Sequence, residues 1–375
     1  MDESGSGVIH FPMPDGETKY AAFVAFRLKG KNGLVGMPLC LSSELAKANE
    51  GDVYSNPEVY RLLWQGIDRV CTKLGFSNIY FSPSGMLHNM AIEYVTDKSG
   101  RSMSDKYNVY RVLSTRETIL TDHNAEGSPN RIELWGDIDF SAHQHDALFC
   151  NLSSRLPFSR MEITGIDADL PRHIHSKLYK GKAAYETDFK FHDWSKTDIL
   201  HISTHGFYWN EEFVTRHSVH PFFAEKRTGA LSRGEFTSED RSMKHSALFF
   251  TKEDDRTTND GILTATEIAM MDFSHADLVT LSACQTALGD LSSEGTLGLQ
   301  RAFKKAGAKS LLISLKPVHD ESTFILMTSF YRHLFQGKTK HEALRKAQQE
   351  VKTIANGIYA HPKYWAPFIL VDALD

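Results

Sequence analysis

Asp198-Ile199-Leu200-His201-Ile202-Ser203-Thr204-His205-Gly206-Phe207 is an apolar run that stops on His-Gly, and Asp277-Leu278-Val279-Thr280-Leu281-Ser282-Ala283-Cys284-Gln285-Thr286 is a second that stops on Ser-Ala-Cys-Gln. Short apolar runs of this kind read as strands buried on both faces. Working outward, further strand-like segments lie at 131–138, 176–179, 246–250, 309–315 and 367–371. Helical patterns fill 160–172, 183–192, 293–306, 321–336 and 339–355. Within 293–306 the residues Leu299, Ala302, Phe303 and Ala306 share a face, with Ser292 or Ser293 as cap and Gly307 as terminator. Alternating strands and helices predict an α/β fold: a mostly parallel sheet flanked by helices, in three layers. Residues 209–245, charged, aromatic and irregular, interrupt the rhythm as a long insertion of the kind that binds or regulates.

Toward the N-terminus the pattern changes. Residues 1–18 are rich in Gly, Ser and Pro and read as a flexible terminus, followed by a strand near 20–26. Val59, Leu62, Leu63, Ile67, Val70 and Leu74 recur at helical spacing, predicting one helix over 56–74 that starts near Pro57 and ends at Gly75. Residues 78–81, a Ser-Pro-Ser-Gly turn at 82–85 and residues 87–95 read as strand, turn, strand. The polar stretch 121–130 marks a boundary between a first lobe, 19–125, and a second, 126–375.

Composition narrows the function classes. The 375 residues carry 42 basic and 47 acidic side chains, a net charge of −5, with no long basic block, which argues against a nucleic-acid footprint. No apolar run approaches the roughly 18 residues of a membrane span, and the first residues lack a signal-peptide pattern, so a cytoplasmic protein is expected. Cys40, Cys71, Cys150 and Cys284 are scattered without a C-x-x-C pair, which predicts neither a disulfide framework nor a zinc ribbon. The pairs His143/His145 and His173/His175 lack carboxylate or thiolate partners at ligand spacing, so no metal is expected.

In a parallel sheet functional groups gather at the carboxyl ends of the strands. If the two opening strands are neighbours, His205 and Cys284 meet at one sheet edge, where a thiol gains the base it needs to act as a nucleophile. The amides of Gly206 and Cys284 then suit an oxyanion hole. Read singly, a Cys after a buried strand is a small core residue and a His is satisfied locally; the pairing at matched strand ends strengthens the case for chemistry without displacing that reading. Asp198, Asp260 and Glu294 read as caps or solvated charges, and Gly295/Gly298 is too sparse for a phosphate loop.

These residues resemble the CHAT family of cysteine peptidases, caspase relatives that share a His–Cys dyad with separase and the gingipains. The likeness runs from about Leu62 to the C-terminus. It includes Ile79-Tyr80-Phe81-Ser82-Pro83-Ser84-Gly85, Leu200 to Gly206, Gly261 to Ile268, Leu281 to Thr286, Gly298 to Phe303 and Tyr364-Trp365-Ala366-Pro367-Phe368. The separation of His205 and Cys284, 79 residues, exceeds the roughly 50 of caspases, in keeping with the insertion at 209–245. Ala287 stands where the family commonly has Gly, Lys316 where it has Trp, and a tetratricopeptide array often fused ahead of such domains is not in this sequence.

The resemblance implies a caspase-like endopeptidase in which Cys284 attacks the scissile carbonyl and His205 protonates the leaving amine, with no cofactor. It implies a first lobe that is a silent pseudo-caspase-like body. Asp320 aligns roughly with the separase aspartate that receives a basic side chain, which implies cleavage after Arg or Lys; its own position also suits a helix cap. The implied partners are a protein substrate, gasdermin-like or CRISPR-linked, and an activating partner or tetratricopeptide region, in bacterial antiviral defence or regulated cell death. The rival reading is an adaptor of the same fold that binds without turnover.

Overall fold

The computed structural model describes residues 4–12, 18–115, 129–143, 156–209, 216, 243, 245–253, 260–283, 291–292, 295–296 and 298–374. The chain forms two compact units: one of 1–125, 291–295 and 369–375, the other of 126–290 and 296–368.

The first unit is built on a five-stranded sheet of β1 (Ser4–Pro12), β2 (Thr18–Leu28), β3 (Lys31–Leu41), β4 (Asn78–Ser82) and β5 (Asn108–Arg111), in the order β3-β2-β1-β4-β5. The segment expected to be a flexible terminus therefore supplies a central strand. Gly- and Ser-rich residues have weak strand preference, but β1 has antiparallel β2 on one side and parallel β4 on the other to take up its backbone groups. In β2 the buried residues Tyr20, Ala22 and Val24 alternate, the signature of a half-covered strand.

The helices α1 (Ser42–Ala48), α2 (Pro57–Leu63) and α3 (Gln65–Leu74) pack on β2 and β3. The single helix expected over 56–74 is broken at Trp64, whose indole is buried and donates to the Ile92 carbonyl at 2.7 Å. Asn56 caps the first piece and Gly75, at φ +74°, ends the second. The strand expected over 87–95 is instead two single 3₁₀ turns, Gly85–Asn89 and Ile92–Tyr94. They are followed by the short α4 (Met103–Lys106), capped reciprocally by Ser102 and Asp105.

The second unit contains the parallel sheet. Its strands are β6 (Arg131–Ile138), β7 (His175–Gly181), β8 (Ile199–Ser203), β12 (Leu278–Ser282) and β13 (Ser310–Ser314), ordered β13-β12-β8-β6-β7. The pairs β7/β6, β6/β8, β8/β12 and β12/β13 are all parallel. Every residue of β8, β12 and β13 is buried, because helices and loops cover both faces. A smaller antiparallel sheet, β11-β10-β9, comprises β9 (Gly206–Tyr208), β10 (Ser246–Phe249) and β11 (Ile262–Thr264).

One face of the large sheet carries α5 (Pro157–Ala168), which packs on β6 and β8 and against α9 (Asp320–Phe335). That helix in turn packs on α10 (Lys340–Thr353). The buried positions of α5, Ser159, Glu162, Ile163 and Ile166, fall on one stripe. Gly136 of β6 lies beneath this helix: a Cβ there would come within 2.8 Å of both Ile163 Cγ2 and Ser159 Oγ, so glycine lets α5 approach.

The opposite face is aromatic. Trp135 stacks on Tyr179 with centroids 3.9 Å apart and meets the edges of Phe189 and Phe250, and the cluster extends through Trp194 and Phe273 to Phe303. The short α6 (Glu186–Lys190), α7 (Ala265–Ile268) and α8 (Leu299–Lys305) complete the unit.

The helix expected over 293–306 starts later, because Gly298 at φ +148° sets the chain direction just before Leu299, and Ser292 belongs to a two-residue strand. Among the described residues, no helix is long and apolar enough to cross a membrane. The insertion 209–245 lies outside the described residues except Trp209, Arg216, Met243 and His245.

Candidate active site at the strand ends

The segments that opened the sequence reading are neighbours. β8 and β12 pair in parallel from Ile199/Leu278 to Ser203/Ser282. His205 and Cys284 each follow the last rung by two residues, since the 79-residue offset of the paired serines is also theirs. Cys284 itself lies outside the described residues; Ala283 before it is buried, and its carbonyl accepts a hydrogen bond from Ser314 Oγ at 2.8 Å.

His205 is held through its backbone. Its carbonyl accepts from the Phe249 amide at 3.0 Å, and the Thr204 hydroxyl donates to the Phe249 carbonyl. The imidazole is half-buried against the Phe140 ring, with centroids 4.7 Å apart. Gly206 opens β9 opposite Leu248. The Phe249-to-His205 bond makes Gly206/Leu248 a non-hydrogen-bonded pair, so β10 does not take up the Gly206 N–H.

Asp320 is reached six residues beyond β13, on the other side of β12 from β8. The loop exposes Lys316 and Pro317 before α9 begins. The cap of that helix is His319, whose Nδ1 accepts from the Ser322 amide at 3.4 Å. Asp320 is thus the first helical residue rather than the cap, half-buried at the positive end of the helix dipole. Among the described residues, no hydrogen bond or ion pair ties up its carboxylate. The sheet order thus sends the chain segments bearing His205, Cys284 and Asp320 from the carboxyl ends of three consecutive strands.

The remaining expectations fall elsewhere. Asp198 is not a helix cap; its carboxylate accepts from the amides of Asn130 and Arg131 at 2.7 and 2.9 Å and so aligns the start of β6. Asp260 turns onto the Ile262 amide at 3.0 Å. His143 is buried, with Nε2 3.3 Å from the Phe250 carbonyl oxygen. Cys40 and Cys71 are buried free thiols, pushed up to about 12 and about 11 by desolvation, so neither forms thiolate near neutral pH.

Sequence reasoning missed a buried polar cluster beneath this edge. Glu162 of α5 comes within 2.8 Å of His201 Nε2, out of line with the ring N–H direction. Its other oxygen lies 3.5 Å from Ser203 Oγ. His201 Nδ1 lies 3.2 Å from the Tyr331 hydroxyl, which donates to Thr280 Oγ1 at 2.8 Å, and Thr280 is the register partner of His201. Burial pushes the Tyr331 hydroxyl well above its usual range, so it stays protonated. The available signal was a carboxylate on the apolar stripe of the helix over 160–172.

A CHAT domain family model matches residues 57–373. Tetratricopeptide repeat protein 28 of Mus musculus is 33% identical over 110 residues, which is 29% of this chain and 4% of that protein; the Homo sapiens protein is 31% identical over the same length and shares. The chain therefore spans a small fraction of these curated relatives. Among solved structures, the Arg-specific cysteine proteinase gingipain R aligns with 85% of this chain and 68% of its own at a TM-score of 0.46 and 8% identity. Pyridoxal kinase from Staphylococcus aureus aligns with 61% of this chain and 89% of its own at 0.26 and 11% identity.

Proposed function

This chain belongs to the CHAT domain family, and from that premise we propose that it is a caspase-like cysteine endopeptidase acting through His205 and Cys284. The observation that carries the reading is the β8/β12 register, whose last rung is Ser203/Ser282, with His205 and Cys284 each two residues further along the sequence. His205 takes the Cys284 thiol proton as the sulfur bonds to the scissile carbonyl carbon, the C=O π pair moves onto oxygen, and the amides of Gly206 and Cys284 donate to the resulting oxyanion. His205 gives its proton to the amine as the C–N bond breaks, then takes one from the water that hydrolyses the thioester. Neither step calls for a metal or cofactor.

Asp320 selects the residue before the cleaved bond. Its carboxylate, with no partner among the described residues, supports recognition of Arg or Lys by a charge-assisted pair. The first lobe, 19–125, serves as a structural body, and the active lobe is 126–375. The chain acts in the cytoplasm, in bacterial defence or regulated cell death, on a protein substrate and under the control of a partner. The partial likeness to tetratricopeptide repeat proteins supports a repeat-bearing region as that control.

A positional peptide library incubated with the wild-type chain and its Cys284→Ala variant tests this. Cleavage after Arg or Lys that vanishes in Cys284→Ala is the expected result, with a loss of roughly a thousandfold or more. Preference for acidic or apolar residues removes the role of Asp320 and leaves the dyad. Cleavage unaffected by Cys284→Ala, or cellular activity that persists without any cleavage, overturns the peptidase in favour of the adaptor.

A further inference from the structure

We propose that Ser159 and Glu162, one turn apart on α5, are positioning residues for His205, gripping β8 at Ser203 and His201 just before the strand ends. The proposal rests on the reading of His205 as the catalytic acid and base. The Ser159 hydroxyl accepts from the Asp137 amide at 2.9 Å and donates to the Ser203 carbonyl at 2.9 Å, so one oxygen bridges the carboxyl ends of β6 and β8. At that point β6 carries a register shift between Gly136 and Ile138, and Asp137 sits at φ +50°. This left-handed conformation is unfavourable for a residue with a side chain unless its surroundings hold it. With a Cβ at position 136, α5 could not come close enough to make the bridge.

Glu162 adds a second grip from the same helical face. Its carboxylate reaches His201 and Ser203 of β8, and through Tyr331 the contact continues to Thr280 of β12. The Glu162 and His201 side chains are 3% and 0% exposed, and the two facing atoms lack an aligned hydrogen bond. Burying such a pair costs more solvation than it returns unless geometry is ideal, and apolar residues of similar volume are usually as stable. Stability therefore does not account for it. Register does: sliding β8 by one residue against β12 would turn Ile202 toward α5 and His201 into the aromatic layer, breaking every one of these contacts. The cluster fixes how far β8 advances, and with it the height of His205 at the sheet edge.

The test uses Ser159→Ala, Glu162→Gln and the double variant Glu162→Leu/His201→Leu in the full chain. Each is measured for melting temperature, for kcat and KM on Arg- and Lys-containing peptides, and for the pH dependence of Cys284 alkylation by iodoacetamide against a Cys284→Ala control. Positioning predicts that kcat falls about ten- to a hundredfold in each variant, with KM within about twofold. It also predicts that the alkylation profile moves to higher pH and that the double variant melts no lower than wild type. Folded variants with wild-type kcat and alkylation profile, or losses that track melting temperature alone, overturn the proposal. If wild type cleaves no peptide, the peptidase reading fails, while a His205-dependent alkylation profile that shifts in the variants still supports positioning, and an unshifted one overturns it.

Discussion

Among the described residues, each unit holds one acid–base pair with both side chains buried, and the two pairs are built differently. In the first, Arg111 donates Nε and Nη2 to the two oxygens of Glu93 at 3.0 and 2.7 Å and gives a further bond to the Met90 carbonyl. That planar fork satisfies the carboxylate and leaves nothing to adjust. In the second, Glu162 and His201 approach at 2.8 Å but out of line, with Ser203 at the edge of hydrogen-bond reach. A complete pair holds a fold together. An incomplete one, placed two to four residues before a candidate catalytic histidine, trades satisfaction for position.

The largest effect that tests this contrast is Arg111→Leu. It strands the Glu93 carboxylate in the core and is expected to cost about 3–5 kcal/mol, read by urea denaturation, whereas the apolar replacement of Glu162 and His201 together costs little. Comparable losses from both changes would erase the distinction. Next comes Gly136→Ala. The added methyl meets Ile163 and Ser159 at 2.8 Å and is expected to cost about 1–3 kcal/mol, with a fall in activity beyond the unfolded fraction; an unchanged melting curve would show that α5 yields freely.

The smallest effect concerns pH. Hydrogen bonds from Lys106, Ser99 and the Arg101 amide hold the Asp97 carboxyl well below its usual range against its desolvation, and Asp68 is lowered by Tyr107, Tyr60 and Lys106. A depressed acid stabilises the fold above its unfolded value near 3.8 and loses that contribution as pH falls through the folded value. Melting temperature should therefore drop below about pH 4, and Asp97→Asn should flatten the drop while lowering stability at neutral pH. An identical acid profile in Asp97→Asn would remove these ions from the account.

The parallel sheet was legible because burial on both faces leaves an unmistakable composition. Residues 277–282 and 309–315 lack polar alternation, 131–138 and 198–204 keep part of it at Arg131, Glu133 and Asp137 and at His201 and Ser203, and the structure pairs the strands within all four. What failed was local. Trp64 splits a helix whose periodicity runs through it unbroken, because its indole is fixed by a carbonyl 28 residues away. Strand β1 lay in a Gly- and Ser-rich segment with little intrinsic preference, and its pairing comes from neighbours on both sides. At the site, His205 and Gly206 stood out because they follow a strand, whereas Asp320 was reached through the family resemblance alone. Ser159, Glu162 and Tyr331 did not, since a polar residue inside a helical stripe acquires meaning once the strand beneath it is known.

One bond in the first unit has a bearing on synthesis. The Asp372 carboxylate accepts from the Leu113 amide at 2.9 Å, and the Asp372 amide donates to the Arg111 carbonyl at 3.0 Å, across 259 and 261 residues of chain. A ribosome that has made residues 1–125 has not yet made the partner that satisfies those groups. The second unit, largely complete by residue 368, emerges before the first receives its closing segment. The lobe that begins the chain is therefore among the last parts to be finished, and a nascent chain stalled before position 372 carries an unsealed N-terminal unit exposed to chaperones and proteases.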